Sequence, residues 1–225
     1  MVEMALCVGT TGDYPPVTWR DPATGQYSGD DIATVMTFAA DAGFTINFVS
    51  TTWPTMLDDL AAARFQIAAG GISATPERAK AALLSDPIAT TGKVALVRCS
   101  DVDKYTSLEA IDRSGVHVVE NTGGTNESFA ETRLSAATVT LVSDNASAFV
   151  ALENGTADVM LTDSIEACWH QSQHEGLCAV HPDQPYTRVA KVFLFAKDQQ
   201  ALCDAFNQWL ATSQSPKADK SRALL

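Results

Sequence analysis

The sequence predicts an α/β protein, and three observations carry that expectation. Short apolar runs alternate with segments whose apolar residues recur at helical spacing. The order is strand, helix, strand, which implies parallel βαβ units. Two of the apolar runs end in glycine pairs, Gly70-Gly71 and Gly123-Gly124, that lead directly into helix starts. The 225 residues, 46% hydrophobic, suffice for one large domain or two small lobes with substantial cores.

Leu6 to Val8 reads as a first strand and Gly9 to Pro16 as a loop. Trp19 to Gly29 predicts a hairpin that turns through Asp21-Pro22-Ala23-Thr24-Gly25. Ile32, Val35, Met36, Phe38 and Ala39 mark the inner face of a helix closed by Gly43, with Thr45 to Val49 the next strand. A helix opening at Trp53-Pro54-Thr55 would turn Met56, Leu57, Leu60 and Ala61 inward. Trp53 then sits at the carboxyl end of a sheet strand, where open α/β sheets bind ligands. Core packing is its rival role.

Phe65 to Ala69 predicts a strand that stops at Gly70-Gly71, its backbone left open. Thr75 suits an N-cap, Pro76 the first helical position and Glu77 the first turn. Free N–H groups there, the Ser73 and Thr75 hydroxyls and the Arg78 guanidinium make a seat for a carboxylate. An ordinary capped helix with a solvated arginine fits the same spacing. Lys93 precedes the strand Val94 to Val97, where a lysine after glycine is usually a solvated strand end.

Tyr105 to Arg113 predicts a helix and His117 to Glu120 a strand. Asn121-Thr122-Gly123-Gly124-Thr125-Asn126-Glu127 then opens a helix through Phe129, Ala130 and Leu134. Thr125 can cap it, and two asparagines face the same turn, making a second anion seat. G-x-G-x-x-G is absent, so no dinucleotide fingerprint is present. Strand Thr138 to Val142, helix Ala146 to Asn154 and strand Ala157 to Leu161 follow. They deliver Asp163 and Glu166, two carboxylates on one side of one turn. Asp163 as an N-cap and Glu166 as a solvated first-turn acid would require no ligand. Ala190 to Ala196 is a strand, Leu202 to Leu210 a closing helix carrying Phe206 and Trp209, and Ser213 to Leu225 a loosely held polar tail.

A net charge of −12 without a basic run argues against nucleic-acid and anionic-membrane partners. It leaves room for an anionic substrate, because one buried arginine and one lysine can outweigh diffuse surface charge locally. No apolar stretch reaches the roughly 18 residues of a membrane span, so no membrane insertion is expected. The start, Met-Val-Glu-Met-Ala-Leu, lacks a signal peptide's pattern, which leaves a removed leader or a cytoplasmic protein. Five cysteines without CxxC spacing, and His117, His170, His174 and His181 without ligand spacing, predict no metal. No cofactor loop and no Ser-His-Asp or Cys-His set is present, so covalent nucleophilic hydrolysis is unsupported. Proton transfer and charge placement remain.

G-G-I-S-x-T-x-x-R over Gly70 to Arg78, followed by Ser85-Asp86-Pro87, resembles the ligand-arginine segment of family 3 periplasmic solute-binding proteins, the polar amino-acid binders. Within that superfamily, Asn121 to Glu127 resembles the N-x-G-G-T-N-E segment of cyclohexadienyl dehydratases, and the likeness runs over nearly the whole chain. The resemblance implies a two-lobed periplasmic-binding-protein-like fold of type II. Each lobe would be a mixed, mostly parallel sheet flanked by helices, with two hinge crossings and the site in the cleft. Residues 1–96 and 191–225 would form lobe 1 and residues 97–190 lobe 2. In an oxidising compartment Cys99 and Cys178, flanking the crossings in the family fold, are the candidate disulfide. Cys168 with Cys178 is the alternative, and five free thiols the simplest case.

By the same resemblance, Arg78, Ser73, Gly71 and Thr125 hold substrate, Tyr14 and Trp53 supply aromatic contacts, and Asp163 matches the aspartate that pairs with a ligand ammonium. A tyrosine packing a turn fits Tyr14 equally well. Glu166 is the implied general acid, with Lys93, Asn121 and Asn126 orienting the ring substituents. The implied reaction is decarboxylative dehydration of prephenate to phenylpyruvate, or of L-arogenate to L-phenylalanine, by a hydro-lyase without a cofactor. Its partner would be a small-molecule carboxylate, and a homo-oligomer is compatible. A removed leader would make it periplasmic or secreted. A non-catalytic solute-binding protein serving an ABC transporter uses the same Arg78 and Asp163, and a diverged lyase on a related hydroxy acid is a third reading. Ile88, where most family members carry an aromatic, and Thr122, where many dehydratases carry proline, depart from the pattern.

Overall fold

The computed structural model describes residues 4–173 and 176–213. His174 and the tail from 214 to 225 lie outside the described residues, as does the very start of the chain. The first half runs β1 (Met4–Thr10), β2 (Asp13–Tyr14), β3 (Thr18–Arg20), β4 (Tyr27–Ser28), α1 (Asp30–Ala42), β5 (Phe44–Ser50), α2 (Met56–Ala61), β6 (Ile67–Ser73), α3 (Pro76–Ala81), β7 (Leu83–Leu84) and β8 (Ala89–Thr91). It continues through β9 (Lys93–Arg98), α4 (Leu108–Ile111), β10 (His117–Asn121), α5 (Thr125–Arg133), β11 (Thr138–Val142), α6 (Asn145–Glu153), β12 (Val159–Asp163), α7 (Ser164–Ser172) and β13 (Leu177–Val180). β14 (Val189–Phe195) and α8 (Gln200–Ser213) close the chain.

Two main sheets divide these strands between two lobes. One has the order β5-β1-β6-β14-β7, with β8 beside β14, and the other β11-β10-β12-β9-β13. β1, β5 and β6 are parallel, as are β10, β11 and β12, which is what strand-helix-strand units require. β14 and β9 run antiparallel to their neighbours, because each enters its sheet from the other lobe. Lys93 to Arg98 pairs wholly within the second sheet and Val189 onward within the first. The sheets therefore part at Gly92 and again before Val189, whereas the expected boundaries at 96/97 and 190/191 fall inside paired strands. The crossings touch where Lys93 N–H donates to Thr187 Oγ1 at 3.0 Å and Tyr186 N–H donates to the Lys93 carbonyl at 2.8 Å.

Burial separates the helix faces. Val35, Phe38 and Ala39 of α1 pack with Leu6, Val8, Phe193 and Phe206, and Ile32 is also buried, while Met36 is 51% exposed. Met36 lies just outside the arc the sheet covers. Likewise Met56 and Leu60 of α2 are buried, Leu57 is half-buried and Ala61 is exposed, since α2 has only two turns. α4 is shorter than expected and starts at Ser107, whose hydroxyl accepts the Ala110 N–H. α5 is capped by Gly124 with no side-chain cap, so Thr125 is its first residue and not its cap. Cys99 and Cys178 form a disulfide between β13 and the end of β9, and Cys7, Cys168 and Cys203 are free.

Ile88 packs against the first lobe's core. Its difference from the family pattern therefore falls in that core.

Candidate active site

The largest correction concerns β6. The strand does not stop at the glycines but continues to Ser73, with a register shift against β14 between Val192 and Leu194. Gly70 and Gly71 have φ of 127° and 74°, and both N–H groups donate to Asp31 Oδ2, at 3.2 and 2.8 Å. The backbone expected to be open is thus already taken by a buried carboxylate. Burial raises the Asp31 carboxyl to about 6, although the Gly71 and Gly70 hydrogen bonds and Lys191 pull the other way. At Gly71 a Cβ would sit 2.0 Å from the Tyr14 ring, so only glycine lets that ring cross β6.

Thr75 caps α3 as its sequence predicts, accepting the Arg78 N–H at 3.2 Å. This turns Arg78 back toward the strand. Its guanidinium donates from Nη1 to the Ser73 carbonyl at 2.8 Å and lies 5.9 Å from the Trp53 ring, while the residue is only 8% exposed. Burial lowers its pKa, yet a guanidinium starts so high that it stays charged. Trp53 in turn packs edge-on against Tyr14, with centroids 6.2 Å apart.

β12 and α7 bring Asp163 and Glu166 together, and neither follows the plain helix-start reading. Asp163 precedes α7 without capping it through its side chain. Its Oδ2 accepts from Tyr14 Oη at 2.7 Å and Lys191 Nζ at 2.6 Å, and Lys93 Nζ lies 3.1 Å from Oδ1. Burial alone would raise its pKa, but the two ammonium groups and the two hydrogen bonds hold it well below the carboxylate range. Glu166 is fully buried. Its Oε1 accepts from Asn145 Nδ2 at 3.1 Å, and the Thr162 hydroxyl bonds Oε2. Burial first, then repulsion from Asp163 and Asp13, push its carboxyl well above the ordinary range, against the pull of the Thr162 hydrogen bond and Lys93.

A chain of hydrogen bonds joins the remaining candidates. Lys93 Nζ donates to Asn126 Oδ1. Asn126 Nδ2 faces Asn121 Oδ1 at 3.2 Å and Thr162 Oγ1 at 3.5 Å, and Thr162 reaches Glu166. Lys93, Asn121, Asn126 and Glu166, from two strands and two helices, are one network through Thr162 of β12. Behind it, Glu120 is also buried and raised well above its ordinary pKa by desolvation, and its Oε1 accepts the Leu161 N–H at 2.8 Å.

A cavity of about 660 Å³ lies between the lobes in front of this network. Arg78, Trp53 and Thr75 line it from the first lobe, and Gly123, Gly124, Thr125 and Ser128 from the second. Its walls meet where Pro54 packs on Gly123, at which a Cβ would come within 2.6 Å of the proline. Thr125 thus faces Arg78 across the cleft. Ser73, Tyr14, Asp163, Glu166, Lys93, Asn121 and Asn126 are not among its lining residues; Ser73 and Tyr14 adjoin it through Arg78 and Trp53.

Sequence reasoning missed three participants. Lys191 donates to Asp163, to the Gly71 carbonyl at 2.7 Å and to Ser73 Oγ at 2.9 Å. Thr162 and Asn145 hold Glu166. The one available signal was a lysine inside an otherwise apolar strand. Among the described residues no group of three or more His, Cys, Asp or Glu could hold a metal ion, and no helix is long and apolar enough to cross a membrane.

Two sheet-bearing lobes joined by two crossings, with buried charge gathered where they meet, define a two-lobed solute-binding fold. The chain belongs to family 3 of the bacterial extracellular solute-binding proteins, whose pattern it matches over residues 6–220. It is 40% identical over 205 residues to the cyclohexadienyl dehydratase of Pseudomonas aeruginosa, covering 91% of this chain and 76% of that protein. Among solved structures, an ancestral amino acid-binding protein described as a precursor of cyclohexadienyl dehydratase superposes with a TM-score of 0.85 at 33% identity, covering 92% of this chain and 88% of that one. An ancestral cyclohexadienyl dehydratase is 47% identical, with a TM-score of 0.53 over 92% and 86% of the two chains.

Proposed function

We propose that the chain is a cyclohexadienyl dehydratase, a hydro-lyase that removes water and carbon dioxide from a cyclohexadienol carboxylate. The observation that carries this reading is Glu166. It is a fully buried carboxyl whose pKa burial raises, linked through Thr162 and Asn126 to Lys93. A receptor for a simple amino acid has no use for a neutral acid at that place.

Arg78 and the start of α5 at Thr125 hold the side-chain carboxylate of the substrate in the cavity, with Trp53 against its ring. Glu166 gives its proton to the ring hydroxyl, the carbon–oxygen bond breaks and water leaves. The ring carboxylate departs as carbon dioxide, its carbon–carbon bonding pair entering the ring as the aromatic system forms. Glu166 is left as a carboxylate and recovers its proton from solvent. Lys93, Asn121 and Asn126 stabilise charge as the elimination proceeds. Lobe closure excludes water and strengthens these contacts. No cofactor enters the scheme. The family assignment supports an extracytoplasmic, periplasmic setting, and the Cys99–Cys178 disulfide fits an oxidising compartment.

The alternative is a binding protein without turnover, favoured by the likeness to an ancestral amino acid-binding protein and by a cavity that exposes Arg78 and Trp53 while Glu166 stays behind. Turnover of prephenate, followed by phenylpyruvate absorbance beside Glu166→Gln, separates the two. Activity in the parent that falls about a hundredfold in the variant supports the dehydratase. No turnover of prephenate or L-arogenate, with a thermal shift on an amino acid, supports the receptor.

A further inference from the structure

Glu166 is fully buried and does not line the substrate cavity, yet the proposed reaction uses its proton at every turnover. Two carboxylates enter on the substrate, and one leaves on the product beside carbon dioxide and water, so each turnover consumes one proton. A second cavity, of about 510 Å³, lies between the lobes and shares no lining residue with the first. Asp13, Pro16 and Trp19 line it from the first lobe and Phe149, Val150 and Trp169 from the second. Trp19 is 40% and Val150 56% exposed, so this cavity is open to solvent.

Asp13 is where that cavity meets Glu166. Its Oδ2 accepts the Asn145 backbone N–H at 3.5 Å, and the Asn145 side chain donates from Nδ2 to Glu166 Oε1 at 3.1 Å. The first residue of α6 thus holds one carboxyl from each lobe. Burial raises the half-buried Asp13 carboxyl, against the donors of Thr11, Asn145 and Trp53, so it keeps a proton to higher pH than a solvated aspartate. The other line to Glu166 runs from Lys93 through Asn126 and Thr162. It passes through an amide, which does not titrate, and Lys93 is ion-paired with Asp163. Glu153 and His170 also line the second cavity, but Glu153 is exposed at the far end of α6 and the His170 ring packs on Phe149 at 3.7 Å.

We propose that Asp13 is the proton relay of the site, taking a proton from solvent in the second cavity and passing it across Asn145 to the Glu166 carboxylate that each turnover leaves. The Asp13 O–H bond breaks as the Glu166 O–H bond forms, and solvent then reprotonates Asp13, so the step balances without a further reactant. The inference rests on the dehydratase reading and adds to it an entry for the proton separate from the entry for substrate.

The test separates the first turnover from those that follow. With enzyme in excess over prephenate, the proton used is the one already on Glu166, whereas steady state requires its replacement. Asp13→Asn should keep a single-turnover rate within about twofold of the parent while kcat falls about tenfold or more, and added imidazole buffer should restore kcat. An aspartate with only a structural role would slow both rates together, without rescue by buffer. That result, or an unchanged kcat, overturns the inference. His170→Asn should show no such split, and a split there as large as in Asp13→Asn overturns the assignment to Asp13. If Asp13→Asn does not fold, Ala146→Trp, at an exposed position on the cavity wall, closes the route from outside. Its kcat should fall against an unchanged single-turnover rate, and parent-like values of both overturn the inference. A parent that turns over neither prephenate nor L-arogenate removes the dehydratase reading and the relay with it, whereas an active parent without the split removes the relay alone.

Discussion

Asp163 and Glu166 begin the same helix three residues apart, yet their surroundings differ in kind. Asp163 points to the junction of the lobes, where Lys93, Lys191 and Tyr14 converge on it, and it stays ionised. Glu166, on the first turn of α7, meets an amide and a hydroxyl but no cation within hydrogen-bond reach, and burial raises its pKa. Two chemically similar side chains at neighbouring positions therefore have their pKa values pushed in opposite directions, by their partners and not by residue type.

The largest expected effect tests the charged half of this pair. Asp163→Asn leaves two buried ammonium groups without their counter-ion and should cost about 3–5 kcal/mol of stability, read by urea unfolding. A loss below about 1 kcal/mol would mean that the junction does not depend on this carboxylate. Next comes Glu166→Gln, which keeps an uncharged group of the same shape. It should cost about a hundredfold in turnover, near 2.7 kcal/mol of barrier, while the unfolding midpoint stays within experimental scatter. Loss of both together would show that Glu166 is structural.

The two carboxyls should also respond to pH in opposite directions. Asp163, held below its ordinary 3.8, contributes stability that is complete above that value and is lost only as pH falls through its depressed pKa. Glu166, raised above its ordinary 4.5, contributes stability that is complete below that value and is lost as pH rises through its raised pKa. Turnover should follow the second pattern, declining on the alkaline side as the acid ionises. An alkaline limb that persists unchanged in Glu166→Gln would assign it to another group. The smallest effect expected is that of Gly71→Ala. The new methyl group meets the Tyr14 ring at a φ of 74°, so the Tyr14–Asp163 hydrogen bond should weaken at a cost of about 1–3 kcal/mol. Because it touches only the Asp163 side, the Glu166-dependent alkaline limb should not move.

Much of the site was legible where the sequence places neighbours together. Thr75 and Arg78 belong to one helix start, Asn121 and Asn126 to one loop and turn, and Asp163 and Glu166 to another, so local spacing alone brings each pair to one side. Lys93 came only from the family resemblance, since a lysine after glycine reads as a solvated strand end, whereas here it is buried. Lys191 was not, because its partners lie 28, 118 and 120 residues away and a lysine in a strand carries no local mark of what faces it. The glycines of β6 misled for a related reason. Glycine permits a strand to end, but it also permits a bulge, and the carboxylate that favours the bulge is Asp31 on α1.

By itself, then, the sequence determined the alternation of strands and helices, the capped turn that aims Arg78, the paired carboxyls and the absence of a dinucleotide motif. Each of these follows from interactions between residues a turn or two apart. Only the tertiary structure decided that Glu166 is dry, that Asp163 is spent on two lysines, that Gly71 makes room for Tyr14 and that Lys191 reaches Asp163, Gly71 and Ser73. Charge state and saturation depend on what burial removes and what distant strands supply, and those are set when the two sheets close on each other.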